Sequence, residues 1–270
     1  MSESPDQMPA YAAPVTQQLQ PEEPAKLNFS QRLIGIIFSP GPTFEDINRK
    51  PTWLAPILIS MVLVVVGTVC FNLMAKPDWD RIFRTQIKKQ MEKSGQSMTA
   101  EQIDQRVELS KKIVPLFPVI AAVSVPIVYI VVAGILALGM MLIQAQATFK
   151  KILSVVGWSW TGTALVQTIV GIIAMLVQDQ ETLNNIDPTQ GVNIVPSNLG
   201  AFLPEGTSGA MMAFATSIDI FSIWYLILLS MGLAAIAGSR RITAKKTGMM
   251  VLGFFVVFVI IKIGWRAVFG

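Results

Sequence analysis

Five long apolar runs constrain what this chain can fold into more than any other feature of its sequence. Apolar residues make up 52% of the 270 residues and charged residues only 14%, whereas soluble domains carry about 25% charged residues. A helix rises about 1.5 Å per residue, so about 20 residues cross the hydrocarbon core of a bilayer. The sequence therefore predicts an all-α, polytopic transmembrane helical bundle with five spans, at residues 53–74, 117–143, 152–177, 211–237 and 248–268.

The residue inventory argues against enzyme chemistry. The chain has no histidine and a single cysteine, Cys70, which lies inside the first apolar run. Histidine is the commonest general base and metal ligand, and the sequence lacks a phosphate-binding loop, a dinucleotide-binding glycine motif and paired metal-ligand cysteines. We therefore expect no catalytic centre, no cofactor and no metal. The basic residues flank the apolar runs, which indicates membrane topology and not nucleic-acid binding.

The N-terminal region divides into a polar tail and a short amphipathic segment. Residues 1–27 contain five prolines and no stretch typical of a signal peptide, so we predict a disordered tail before a membrane domain over residues 28–270. Residues 28–38 are too few to span, and their apolar spacing predicts an in-plane helix at the membrane surface. The Ser-Pro-Gly-Pro sequence of residues 39–42 then ends that helix, because proline cannot continue it.

One sizeable polar insertion, residues 75–112, separates the first two spans. Its apolar residues recur at helical spacing, Gly95 suits a left-handed helix stop, and residues 99–102 (Thr-Ala-Glu-Gln) match a capping box. The pattern predicts an extramembrane helical hairpin. Two roles fit it: a solvated cover over the ends of the spans, or a surface that binds a specific partner.

The distribution of basic residues indicates an orientation. Short cytoplasmic loops collect lysine and arginine, and the long loop over residues 178–210 contains neither. We therefore expect a multi-pass protein with its N-terminus in the cytoplasm and its C-terminus outside, in a plasma membrane or, in a prokaryote, the inner membrane. The hairpin over residues 75–112 falls outside in this arrangement, although it carries nine basic and six acidic residues.

Two charges fall within the last two predicted spans. Asp219 lies in the first third of the fourth run and Lys262 near the end of the fifth, both toward the outer leaflet. Three interpretations are open: interfacial anchoring with Lys262 and Arg266 extended to the head groups, an ion pair between Asp219 and Lys262, or a transport or proton path.

Small residues recur four positions apart in several runs, as at Gly157 and Thr161. In lipid this spacing lets helix backbones approach closely. It predicts packing within the bundle or, as the alternative, a homo-oligomer.

The segment before the first span carries a specific pattern. It reads Phe-Ser-Pro-Gly-Pro-Thr-Phe-Glu-Asp-Ile over residues 38–47 and Pro-Thr-Trp-Leu-Ala-Pro over residues 51–56. This segment resembles the entry segment of Yip-domain membrane proteins, as does the five-span layout. The resemblance rests on Phe38, Pro40, Phe44, Ile47, Pro51 and Pro56.

The resemblance implies a polar cytoplasmic N-terminal region followed by five helices. Eukaryotic members are associated with Rab-type GTPases and vesicle trafficking, but their Asp-Leu-Tyr-Gly-Pro and Gly-Tyr-Gly-like signatures are absent, since none of the three tyrosines here precedes a glycine. The chain is more similar to the divergent prokaryotic members. We expect a non-enzymatic protein that organises the lipid bilayer or scaffolds an unidentified protein partner. The alternative is a small transporter or a transporter accessory subunit.

Overall fold

The computed structural model describes residues 25–186, 194–204, 206–239 and 241–269, so the predicted tail lies almost wholly outside the described residues. The fold is all-helical, as predicted. The described ranges contain the helices α1 (Phe29–Phe38), α2 (Pro40–Arg49), α3 (Leu54–Ala75), α4 (Trp79–Ser94), α5 (Ala100–Ile113), α6 (Phe117–Leu142), α7 (Phe149–Val177), α8 (Gln180–Asn185), α9 (Gly209–Ala215), α10 (Ile220–Ile236) and α11 (Ala244–Phe269).

Four helical stretches of the described residues are long and apolar enough to cross a membrane. They are α3, the stretch from α5 through α6 (Ala100–Leu142), α7 and α11. The apolar helix α10 has 17 residues and a length of about 26 Å at the helical rise, which is shorter than these four. The transmembrane bundle is thus present, and the fifth span stays a prediction.

The fourth apolar run is not one helix, contrary to the sequence prediction. It is divided into α9 and α10 by a turn that ends at Asp219, whose backbone is extended (φ −124°). The Asp219 side chain accepts hydrogen bonds from the backbone N–H groups of Phe221 and Ser222, both at 2.9 Å. An aspartate that caps a helix start in this way stabilises the break, because the first N–H groups of a helix lack partners within it.

The polar insertion forms the predicted helical hairpin. Helix α4 ends at Gly95, which has a left-handed φ of 64°, and Thr99 and Gln102 form a reciprocal capping box at the start of α5. Trp79, Phe83, Ile87 and Val107 pack between the two helices. A short 3₁₀ turn, Val114–Leu116, joins α5 to α6.

The long helices alternate in direction around one core. Helix α3 packs on α6 and α7, and α10 packs on α7 and α11. At one end of the bundle, the Gln146 N–H donates to the Ala237 carbonyl at 3.0 Å. At the other end, Gln180 Nε2 donates to the Ala75 carbonyl at 3.4 Å. We call the first end, where α1 and α2 also lie, the N-terminal end.

Candidate functional site at the N-terminal hairpin

Helices α1 and α2 form a hairpin that packs into the N-terminal end of the bundle. A helix is present at the predicted position as α1, with Asn28 and Gln31 forming a capping box, whereas its in-plane orientation stays a prediction. Helix α2 follows after Ser39 alone and begins at Pro40, because proline is well tolerated at the first helical position. The side chains of Ile36, Phe44 and Ile47 are fully buried in the main core. Both helices therefore contribute side chains to the core of the bundle.

A buried ion pair between Arg32 and Asp46 ties the two helices together. Arg32 Nη2 lies 2.7 Å from Asp46 Oδ2, and both side chains are only 4% exposed. Arg32 Nη1 also donates to the Lys50 carbonyl at 3.0 Å and to Thr52 Oγ1 at 2.8 Å. This guanidinium therefore reaches α2 and the connection to α3, in the manner of well-satisfied buried charges.

The Asp46 carboxylate also binds the chain that enters α1. Its Oδ1 accepts hydrogen bonds from the backbone N–H groups of Lys26, at 2.6 Å, and Leu27, at 3.2 Å. Burial alone raises the pKa of this carboxyl, but those N–H donors and Arg32 outweigh burial and hold the pKa below its ordinary value. Asp46 is therefore held as a carboxylate.

Trp158 of α7 connects this ion-pair cluster to the bundle. Its Nε1 donates to the Thr52 carbonyl at 3.0 Å, next to the hydroxyl that Arg32 binds. The Trp158 ring is fully buried and contacts Phe29 at a centroid distance of 5.8 Å. One tryptophan thereby packs on the start of α1 and hydrogen-bonds the segment before α3.

Small residues in α7 and α10 make room for the hairpin. A Cβ added at Gly232 of α10 would lie 2.7 Å from Phe44 Cε1 and 2.5 Å from Val155 Cγ1. A Cβ at Gly162 of α7 would lie 2.8 Å from Ile36 Cγ2. Since real Cβ atoms do not approach so closely, glycine at these positions permits the insertion.

The residues of the Yip-like entry pattern have different structural roles. Phe44 and Ile47 are buried in the core, whereas Phe38 is 78% exposed at the end of α1. Pro40 starts α2 and Pro51 lies in the connection that follows it. Pro56 packs in α3, where its Cγ would lie 2.9 Å from a Cβ added at Gly157.

Sequence reasoning missed the polar residues of this cluster. The apolar pattern and the entry motif did not distinguish Arg32, Asp46 or Trp158 from their neighbours. A signal was present, because Arg32 lies one turn before Ile36 on the apolar side of α1. Apolar spacing alone does not indicate which charge the fold will enclose.

A second polar cluster joins three long helices within the bundle. The Tyr129 hydroxyl of α6 donates to Ser60 Oγ of α3 at 2.6 Å, and Ser60 Oγ lies 2.9 Å from Thr161 Oγ1 of α7. Thr161 also donates to the Gly157 carbonyl at 2.8 Å. The close helix packing predicted from Gly157 and Thr161 is therefore found between α3 and α7.

Asp219 and Lys262 approach the same helix break through different partners. Lys262 Nζ donates to Thr216 Oγ1 and Ser217 Oγ, both at 3.0 Å. Asp219 caps α10 and accepts a hydrogen bond from Ser197 Oγ. A direct Asp219–Lys262 ion pair, one of the three interpretations of these charges, is not among the ion pairs of the described residues, in which Lys262 binds two hydroxyl groups.

The sequence of this helical bundle is similar to known membrane proteins. The family model of the Yip1 domain matches residues 34–265. The chain belongs to the Yip1 domain family. Membrane protein YknW of Bacillus subtilis is 26% identical over 233 residues, which cover 84% of this chain and 87% of that protein. No solved structure matches.

The Yip1 match confirms the family suggested by the entry pattern. It begins within α1 at Ile34 and ends within α11 at Trp265. Asp46 lies inside the matched range, whereas Arg32 lies two positions before it. This Yip1-family chain is therefore a membrane protein with several candidate spans, whose ion-pair cluster extends beyond the matched domain.

Proposed function

We propose that this Yip1-family protein is a non-enzymatic scaffold that binds a protein partner through the α4–α5 hairpin. One observation carries the proposal: α4 packs chiefly on α5, and the pair stands apart from the main core of the bundle. The main core cluster contains no described residue of α4. A folded unit that adds little to the core is suited to contact another molecule.

The hairpin is stabilised by its own ion pairs. Arg84 of α4 contacts Asp80 at 2.5 Å and Asp104 of α5 at 2.6 Å, so it bridges the two helices. Hydrogen bonds to both carboxylates raise the pKa of Arg84. These charges are consistent with a fixed relative position of α4 and α5 outside the membrane.

A groove on the hairpin provides a place to test for a partner. It has a volume of about 320 Å³ and is lined by residues of both helices, including Phe83, Arg106 and Leu109. Leu109 is 61% exposed. The groove therefore combines apolar and charged side chains in the part of the protein that we propose to be extramembrane.

Site-specific photo-crosslinking in intact membranes tests this proposal. A photo-reactive residue at Leu109 should give a discrete protein adduct, whereas one at Ile127, an exposed apolar residue of α6, should label lipid. The Lys88→Glu/Lys89→Glu change on the exposed side of α4 should weaken the Leu109 adduct without lowering protein abundance. Absence of a protein adduct at Leu109, with normal labelling at Ile127, would contradict the scaffold function.

The orientation completes the proposal. We place α10 as a fifth, short span, because its 17 apolar residues reach about 26 Å and a bilayer thins locally to match a short helix. The N-terminal end then faces the cytoplasm, and the α4–α5 hairpin lies outside. A reporter fused after Gly270 should be active only on the outer side, and cytoplasmic activity would contradict this placement.

The break between α9 and α10 favours one alternative function, small-solute transport. Interrupted helices with polar groups at the break are common at transporter substrate sites. Lys262, Thr216 and Ser217 form such a group of side chains. Under this alternative, Lys262→Met abolishes solute flux at unchanged protein abundance, and unchanged flux would exclude it.

A further inference from the structure

Two connections touch at the N-terminal end of the bundle, and basic residues follow each of them along the chain. The Gln146 N–H of the α6–α7 connection donates to the Ala237 carbonyl of the α10–α11 connection at 3.0 Å. The first connection leads within a few residues to Lys150 and Lys151 in the first turn of α7. The second leads to Arg241, Lys245 and Lys246 at the start of α11.

These five cations have no carboxylate to neutralise them on their own elements. The sequence contains no aspartate or glutamate between residues 109 and 178, and none after residue 219. Helix α2, which packs on α7 and α10, brings Glu45 and Asp46 to this end, and Asp46 is already bound to Arg32. None of the five cations forms an ion pair with a described residue.

The position of the lysine pairs within their helices is unfavourable for the folded protein alone. Both pairs lie in the first turn of a helix, at the positive end of the helix dipole, where anions are preferred. Neither first turn contains an acidic residue, and Thr148 makes no side-chain capping bond at the start of α7. An external anion would offset this unfavourable placement of positive charge at the two helix starts.

Exposed apolar side chains beside the lysines indicate what kind of anion reaches them. Phe149, directly before Lys150, is 46% exposed, and Met249, one turn after Lys245, is 60% exposed. On a membrane helix such side chains contact acyl chains. The neighbouring ammonium groups therefore lie at head-group depth, which a soluble acidic protein reaches less readily than a lipid phosphate does.

We propose that the two lysine pairs, Lys150–Lys151 and Lys245–Lys246, form a binding surface for the head groups of anionic phospholipids. The surface goes beyond the proposed scaffold function, because it lies at the opposite end of the bundle from the α4–α5 hairpin. Basic residues near an anionic membrane surface each change binding about five-fold. Removing one pair is therefore expected to weaken anionic-lipid retention about 30-fold.

The chain supplies a matched control for this test. Lys88 and Lys89 also form an adjacent, exposed pair, but they lie on the extramembrane helix α4. The full chain and the double variants Lys150→Gln/Lys151→Gln, Lys245→Gln/Lys246→Gln and Lys88→Gln/Lys89→Gln are reconstituted in mixed phosphatidylcholine and phosphatidylglycerol vesicles. Native mass spectrometry then counts each lipid that remains bound after mild detergent extraction.

The outcomes separate lipid binding from a general effect of charge. The lipid-binding surface is supported if the full chain and the Lys88→Gln/Lys89→Gln variant retain phosphatidylglycerol preferentially and either of the other two variants loses this preference. Equal retention of the two lipids by the full chain overturns it, as does equal loss in all three variants. Thermal unfolding in phosphatidylcholine alone confirms that each variant is folded, and preserved phosphatidylglycerol retention by both end-facing variants also overturns the proposal.

Discussion

The buried ion pair between Arg32 and Asp46 makes the sharpest prediction about stability. At 2.7 Å, Coulomb's law with an effective dielectric constant of about 20 gives an attraction of about 6 kcal/mol. Desolvation offsets much of this attraction, but removal of one partner leaves the other charge buried and typically costs about 3–5 kcal/mol. We expect Arg32→Met and Asp46→Asn each to lower the free energy of unfolding by about that amount.

A double-mutant cycle measures this coupling. The Arg32→Met/Asp46→Asn protein contains no uncompensated charge at this site, so its loss should be well below the sum of the single losses. Unfolding of the purified protein in mixed micelles with increasing SDS, followed by tryptophan fluorescence, is suitable because Trp158 hydrogen-bonds Thr52 beside the pair. Single losses that add within about 0.5 kcal/mol would refute the coupling.

Acidification provides an independent check on the same pair. The pKa of the Asp46 carboxyl is lowered in the folded protein, so its stabilising contribution is complete above the ordinary aspartate pKa and is lost as pH falls through the folded-state value. Stability near neutral pH should therefore not depend on Asp46 titration, and a loss should begin below about pH 4. The loss of stability on acidification should be smaller in Asp46→Asn. Arg84→Met on the exposed α4–α5 hairpin is the control, and it should lower the free energy of unfolding at neutral pH much less than Arg32→Met does.

Three further substitutions have defined outcomes. Gly232→Leu should lower the free energy of unfolding by about 1–3 kcal/mol through overpacking against Phe44. Gly253→Leu is the control, because a Cβ added at Gly253 has open space around it. Titration with SDS distinguishes the two variants. Gly95→Ala should cost about 1–2 kcal/mol because of the left-handed backbone, seen as faster hydrogen exchange confined to α4 and α5. Tyr129→Phe should destabilise the bundle by about 0.6 kcal/mol, as interhelical hydrogen bonds in membranes do, and an unchanged SDS midpoint would contradict this.

The sequence was sufficient to predict elements whose boundaries are set by local chemistry. Gly95 and the Thr99 capping box determine the ends of α4 and α5 through contacts within a few residues, so their pattern alone located the hairpin. The helix break at Asp219 is also determined by local contacts, but the high mean hydropathy of residues 211–237 led to the prediction of one continuous span. An aspartate within an apolar segment is the signal that would have predicted this break, because aspartate is a preferred residue for capping the start of a helix.

The ion-pair cluster could not be predicted because it depends on contacts that are distant in sequence. Arg32 meets the Thr52 hydroxyl 20 positions away, and Trp158 reaches the Thr52 carbonyl across 106 positions. Charged residues are usually exposed, so the sequence alone does not indicate that Arg32 and Asp46 are enclosed. Only the packing of α2 between α7 and α10 encloses them.

The position of this cluster follows from the difference between water and lipid as solvents. Lipid chains are as apolar as leucine, so burial of Phe44 and Ile47 among spans is not driven by the hydrophobic effect there, and tight packing against Gly232 must hold them. A charge pair deep in the hydrocarbon is costly, whereas Lys50, directly after α2, is exposed. The position that we propose for the N-terminal end, at the membrane interface, is therefore less costly for this ion pair than a position deep in the hydrocarbon.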